Sequence, residues 1–170
     1  RERMQRAEKL LLDNKARAST VPLWYQQMIV VNTALGRPKK TRDEIFTEGA
    51  SRFKKYYGLY RMMRFYLDPR WGGSFEAVDN MIKWSANNTK EIWGDRIYAQ
   101  LYSGVRGGML PGQSFFKDTL VDWERFRKAM LKTSDEYPLA YETHNQFAAI
   151  ACEKGDRNSY LMMRKRIGKN

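Results

Sequence analysis

Apolar residues in this chain recur every three or four positions over long stretches, the spacing of a helix face rather than of a strand. Paired alternating runs closed by Asn-Gly or Asp-Gly turns, the mark of a β-hairpin, do not occur. From Glu2 to Ala18, Met4, Ala7, Leu11 and Leu10 gather on one side and predict a first, moderately amphipathic helix. The stretch STVPLWYQQMIVVNTALGRP restarts the chain: Ser19 or Thr20 supplies a cap, Pro22 suits a first turn, and Gly36 followed by Pro38 stops the helix. In KKTRDEIF, Thr41 is placed to accept a first-turn amide, with Asp43 and Glu44 at the positive helix end.

That helix is expected to continue through RFKKYYGLYRMMRFYL, where basic and aromatic residues interleave. At about 100° per residue, Phe53, Tyr56, Tyr57, Tyr60, Met63 and Leu67 share a broad face and Lys54 and Arg61 point away from it. The interleaving is therefore that of an amphipathic helix, and the pattern favours burial of the rings over base stacking. Asp68-Pro69 ends the helix, Gly72 and Gly73 permit a close turn, and Ser74 caps a helix carrying Ala77, Met81 and Trp84.

Further on, Thr89 opens a helix with Ile92, Tyr98, Ala99 and Tyr102 inward, and RGGMLPGQS reads as a loop. Asp118 or Thr119 is placed to cap LVDWERFRKAML, with Leu120, Trp123, Phe126 and Met130 inside, and Tyr137-Pro138 closes that unit. The last two segments form an antiparallel pair, with Gly155 ending one helix, Asp156 capping the next, and Ala148, Ala149 and Ala151 allowing close approach. The expectation is an all-α fold of about seven to nine helices packed as antiparallel hairpins. It forms a single domain over residues 1–170, with 1–20 as a peripheral helix.

The small-residue pattern, Gly155-Asp156, and the helix ending near Ile167-Gly168 resemble the helix-turn-helix unit of tetratricopeptide-like repeats. A longer pattern comprises YLDPRWGGSFEAV, then YAQLY, DWERF and NQFAAIACEKGDRNSYLMMRKRIG. It resembles a bacterial domain family of unknown function whose members carry a Leu-x-Pro-Arg-Trp-Gly-Gly-Ser core and a C-terminal Asn-x-Phe-Ala…Gly-Asp signature. The resemblance spans Val21 to Gly168 and is carried by Arg70, Trp71, Gly72, Gly73 and Ser74, with Asn145, Phe147, Ala148, Gly155 and Asp156. It implies an all-helical, repeat-like fold and no established activity.

Charge changes this picture most. Lys and Arg number 31 against 19 Asp and Glu, a formal +12, which favours an anionic partner. Two clusters stand out: Arg37, Lys39, Lys40 and Arg42 in one turn, and Arg164, Lys165, Arg166 and Lys169 at the end. Catalytic patterns are poor. His144, the single histidine, stands beside Glu142 and Asn145 with no second group placed by spacing. Cys152, the single cysteine, reads as core packing on an apolar stripe and lies roughly 12 Å along the helix from His144. No HExxH, Walker loop or GxSxG occurs, so neither metal nor cofactor is expected. Asp68, Glu76 and Asp79 near Trp71 suit caps and ion pairs better than paired-acid hydrolysis.

In PRWGGS, Trp71 offers a flat platform, Arg70 a planar fork, and the amides after Gly73 an anion site; the competing reading puts Trp71 in the core and Arg70 on the carbonyls of a helix end. The burial reading is favoured. The candidate binding residues are Arg70, Trp71, Gly72, Gly73, Ser74, His144 and Asn145. The leading expectation is a non-enzymatic interaction module with an aromatic-lined groove and a basic surface that steers an acidic protein. The alternative is sequence-independent binding of nucleic acid or anionic membrane through the basic clusters, and a hydrolase comes third. No segment approaches the length needed to span a bilayer. The expected setting is soluble, in a bacterial cytoplasm or periplasm, and the start at Arg1 leaves room for a removed leader.

Overall fold

A computed structural model describes residues 1–168; Lys169 of the second basic cluster lies outside them. Among the described residues the chain forms eleven α-helices and one 3-10 turn, and no strand. In order these are α1 Glu2–Asp13, α2 Lys15–Ala18, α3 Pro22–Ala34, α4 Lys39–Arg52, α5 Tyr57–Leu67 and the 3-10 turn Pro69–Trp71. They continue with α6 Phe75–Asn88, α7 Asp95–Gly107, α8 Phe115–Asp118, α9 Trp123–Glu136, α10 Tyr141–Lys154 and α11 Arg157–Arg166. Two of them, α2 and α8, are single turns, too short for periodicity to register, and they account for the count above nine. The chain divides within α6 into two compact units, Arg1–Met81 and a second from Ile82 onward.

In the first unit α3 packs against α1, α4 and α5. It is apolar on nearly every side, with Trp24, Tyr25, Met28, Ile29 and Val31 buried, so it needs cover from several neighbours. The Trp24 indole N–H donates to the Leu11 carbonyl at 2.9 Å and ties α1 down. On α1 only Ala7, Glu8 and Leu11 are partly covered; Met4 and Leu10 are exposed. The first helix stops at Asp13, where Asn14 turns its amide back onto the Leu10 carbonyl at 2.9 Å.

The expected caps of α3 and α4 are not used. Val21 is the N-cap of α3, and Thr20 instead donates to the Arg17 carbonyl at 2.7 Å. Pro38 precedes α4 in an extended conformation, so the helix begins three residues earlier than a Thr41 cap would have it.

The aromatic-basic stretch is not one helix. It breaks over Phe53 to Tyr56, between α4 and α5. A continuous helix from Thr41 to Leu67 would run about 40 Å and could not lay both halves against α3. The break folds α5 back, so α3 meets both. Gly49 makes this possible: a Cβ there would stand 2.7 Å from the Tyr25 ring. The inward face holds nevertheless: Tyr60 and Met63 are buried, Phe53, Tyr56, Tyr57 and Leu67 are partly covered, and Lys54 and Arg61 are exposed.

In the second unit α7 packs on α9, α9 on α10, and α10 along α11. Tyr98, Tyr102, Phe115, Phe126 and Phe147 are buried completely or nearly so. α7 starts at Asp95, not Thr89, because Gly94 takes a left-handed φ of 52° and ends a turn in which the Thr89 carbonyl accepts the amides of Ile92, Trp93 and Gly94. Asp122, not Asp118 or Thr119, caps α9 through the Arg125 amide at 3.1 Å, and Leu120 is 52% exposed rather than inside. The α10–α11 hairpin forms as expected, with Gly155 left-handed and Asp156 accepting the Ser159 amide at 3.0 Å. Ala148 and Ala151 are buried in it and Ala149 is exposed. Cys152 is exposed, not core; one residue, about 100°, past Ala151 carries it off the buried stripe. No helix among the described residues is long and apolar enough to cross a membrane.

Candidate interaction site around Trp71

The segment between α5 and α6 is short and heavily bonded. Asp68, forced out of the helical region by Pro69, is buried and accepts the Arg70 amide at 3.0 Å. The Arg70 guanidinium grips the same carboxylate with Nε at 2.8 Å and Nη2 at 3.2 Å. This pairing holds Arg70 in its charged form above its ordinary pKa. Arg70 therefore engages a carboxylate two residues back, not the carbonyls of a neighbouring helix end. The backbone closes over the same point, with the amides of Trp71 and Gly73 both donating to the Asp68 carbonyl. Gly72 adopts a left-handed φ of 77°. Gly73 needs its missing Cβ for another reason: one built there would lie 1.8 Å from the Leu67 carbonyl oxygen. Ser74 then caps α6 by accepting the Ala77 amide at 3.0 Å, as expected.

The result overturns the burial reading of Trp71. Its side chain is 56% exposed. The indole packs against Phe65 at a tilt of 43°, with ring centroids 5.2 Å apart, and Phe65 in turn meets Tyr66 edge-on at 5.3 Å. These three rings form a ledge on the first unit. α4 brings cations to it: Lys39 Nζ donates to the Gly72 carbonyl at 3.2 Å, and buried Arg42 reaches the Tyr66 carbonyl at 3.4 Å. So the first basic cluster and the PRWGGS loop, far apart in sequence, meet. The cluster itself is partly spent. Arg37 forks onto Glu8 at 2.9 and 2.5 Å, which holds the Glu8 carboxyl below its usual range, and Lys40 stands 3.9 Å from Glu44.

The remaining candidates lie in the second unit and do not form one site. His144 is fully buried, and Asn145 faces outward with its amide on the Tyr141 carbonyl at 2.9 Å. In the second cluster Arg166 pairs with Asp135 at 2.5 Å, whereas Lys165 is exposed. Of the acids near Trp71, Asp68 has both carboxylate oxygens on Arg70. Among the described residues no three His, Cys, Asp or Glu side chains converge to hold a metal ion.

Sequence reading missed a second concavity. A cleft of about 410 Å³ lies between the 89–94 turn and α9, lined by Lys90, Trp93, Arg96, Lys128, Lys132 and Glu136 among others. The signal was Gly94-Asp95, the same glycine-then-aspartate punctuation that was recognised at Gly155-Asp156. Compared with known protein families, curated proteins and solved structures, the chain matches none, so the resemblance to a bacterial family rests on its motif residues alone.

Proposed function

We propose that this chain is a non-enzymatic interaction module that binds an acidic segment of another protein on the Trp71 ledge. The observation that supports this is an indole more than half exposed on a loop that cannot easily move. Exposed tryptophan costs solubility, and here it is held in place by the Asp68–Arg70 fork, the Lys39–Gly72 bond and the Gly73 close approach. A rigid ring loses little entropy on binding, which is why tryptophan and arginine dominate interface energetics. Lys39 spends its bond on the Gly72 carbonyl rather than on a carboxylate, so its charge stays uncompensated at the residue next to Trp71.

The acidic character of the partner follows from that lysine and from the +12 balance. The reading also fits an interaction module with tetratricopeptide-like character at the C-terminal hairpin. The test is titration of acidic peptides bearing an aromatic or leucine anchor, against the native chain, Trp71→Ala and Lys39→Glu. Binding should fall at least tenfold in both variants, and it should weaken with salt. Equal affinity for native and Trp71→Ala refutes the proposal. Retention of single-stranded oligonucleotide in place of peptide, with a salt slope and dependence on Trp71, replaces it with base stacking and nucleic-acid binding. Binding of anionic vesicles that survives Trp71→Ala assigns the basic clusters to a membrane surface instead.

A further inference from the structure

His144 is an anomaly in the second unit. Its side chain is 0% exposed, yet neither ring nitrogen has a hydrogen-bond partner. Buried polar groups are nearly always satisfied, and each exception calls for a reason. The ring sits on α10 at a three-helix corner. From its own helix the Tyr141 ring meets it edge-on at 6.3 Å. From α11 the Arg166 guanidinium acts on it, and Arg166 is itself latched to Asp135 of α9 at 2.5 Å. From α9 the Ser134 backbone carbonyl also acts on it, but makes no bond of hydrogen-bonding geometry.

We propose that His144 is a pH-sensitive latch: protonation of its buried ring loosens α11 from α9 and α10. A neutral ring is tolerated in this buried corner. A charged one has a guanidinium for a neighbour and only the Ser134 carbonyl, outside hydrogen-bonding geometry, to face its proton. Burial first, and Arg166 second, push the imidazole's pKa below its ordinary value; the Ser134 carbonyl opposes them. The sign follows. The unfolded or detached segment binds a proton near pH 6.5, the packed one only at lower pH. The packing is therefore fully stable above about 6.5 and weakens as pH falls toward the packed-state value. What loosening would free is the α11 face bearing buried Ser159 and Met163, together with Arg166 released from Asp135.

This chain has one histidine, so the window between pH 7.5 and 5.5 isolates it from the carboxylates. The experiment is amide hydrogen exchange of the whole chain across that window, corrected for intrinsic rates, with α3 as internal reference. Opening of α11 should rise about tenfold between pH 7.5 and 5.5, and His144→Gln should abolish the rise. An equal rise in His144→Gln, or no rise in the native chain, overturns the proposal. Should His144→Gln fail to fold, the imidazole resonance of the native chain decides. A ring that stays neutral until α11 protection is lost supports the latch. A ring that titrates near 6.5 within an undisturbed native state refutes it.

Discussion

Gly72 and Gly73 are adjacent, and replacing each by alanine should do different things for different reasons. Gly72 has open space where a Cβ would go, but its φ of 77° is left-handed. Alanine there costs the steric penalty of that region, about 1–2 kcal/mol. Gly73 carries no such φ, yet its Cβ would lie 1.8 Å from the Leu67 carbonyl oxygen, far inside the 3.0 Å that real Cβ atoms keep. The obstacle is backbone at the end of α5, so no rotamer relieves it, and the loop and helix must part by more than an ångström. Overpacking typically costs 1–3 kcal/mol, and an immovable neighbour places this case at about 3 kcal/mol. For a chain of this length each kcal/mol lowers Tm by about 2–4 °C, so Gly73→Ala should melt about 6–12 °C early and Gly72→Ala about 2–8 °C early. Far-UV circular dichroism during thermal and urea unfolding measures both. Trp71 emission should also shift in Gly73→Ala, because the loop that seats the indole on Phe65 is displaced. A Gly73→Ala variant within about 1 kcal/mol of the native chain, or less destabilised than Gly72→Ala, would falsify the account of this loop.

Phe126 stands among Phe115, Trp123 and Phe147 at centroid distances of 6.1, 6.0 and 6.3 Å. Phe126→Ala should therefore cost about 3–5 kcal/mol in urea unfolding, and a loss under 1 kcal/mol would mean the cluster is not the core of its unit. Asp156→Ala should cost about 1 kcal/mol by removing the α11 cap, while Asp156→Asn should keep most of it. The Ser159 amide holds the Asp156 carboxyl below its ordinary range. Its contribution is present above the unfolded value of about 3.9 and is lost as pH falls through the lower folded one; an acid melt in which the native chain and Asp156→Asn respond alike contradicts this. Cys152 is exposed, so a thiol reagent should modify it fully in the folded protein with little change in Tm. Reaction only in denaturant would return it to the core.

The sequence revealed which faces go inward far better than where helices begin. Tyr60, Met63, Tyr98, Phe126 and Met130 are all buried as the period requires, because periodicity is a sum over many residues and tolerates local error. Boundaries hang on single residues with rivals nearby. Ser19 and Thr20 lost to Val21, and Asp118 and Thr119 to Asp122, since a cap depends on a backbone angle that tertiary packing sets. The break between α4 and α5 was invisible for a related reason: nothing in Phe53-Lys54-Lys55-Tyr56 is a helix breaker. What breaks the helix is the demand that both halves reach α3. Around Trp71 the glycines and proline marked a loop correctly, but exposure of the indole did not follow from composition. It depends on how the turn is held, by the Asp68–Arg70 pair and the two amides on the Asp68 carbonyl, and none of those bonds could be read from composition.

Pairing alone cannot neutralise a chain in which cations exceed anions by 12, so the question is where the surplus goes. Arginines take much of the available acid: Arg37 on Glu8, Arg70 on Asp68, Arg96 on Glu136, Arg106 on Glu153, Arg125 on Asp95 and Arg166 on Asp135. Arg37 and Arg70 do so as planar forks, two nitrogens on the two oxygens of one carboxylate, where an ammonium offers one point of charge. Some lysines pair within their own helices, Lys9 on Asp13 and Lys40 on Glu44, and the excess is carried by the lysines and arginines that meet no carboxylate. Exposed pairs contribute at most about 1 kcal/mol each, so their rearrangement hardly alters the fold. A lysine without a carboxylate acts instead on what approaches, and its effect fades over a Debye length of about 8–10 Å at ordinary salt. At that range only a lysine close to an anchoring group can convert attraction into a bound pose. Lys39, fixed on the carbonyl of Gly72 and one residue from the exposed indole of Trp71, meets that condition.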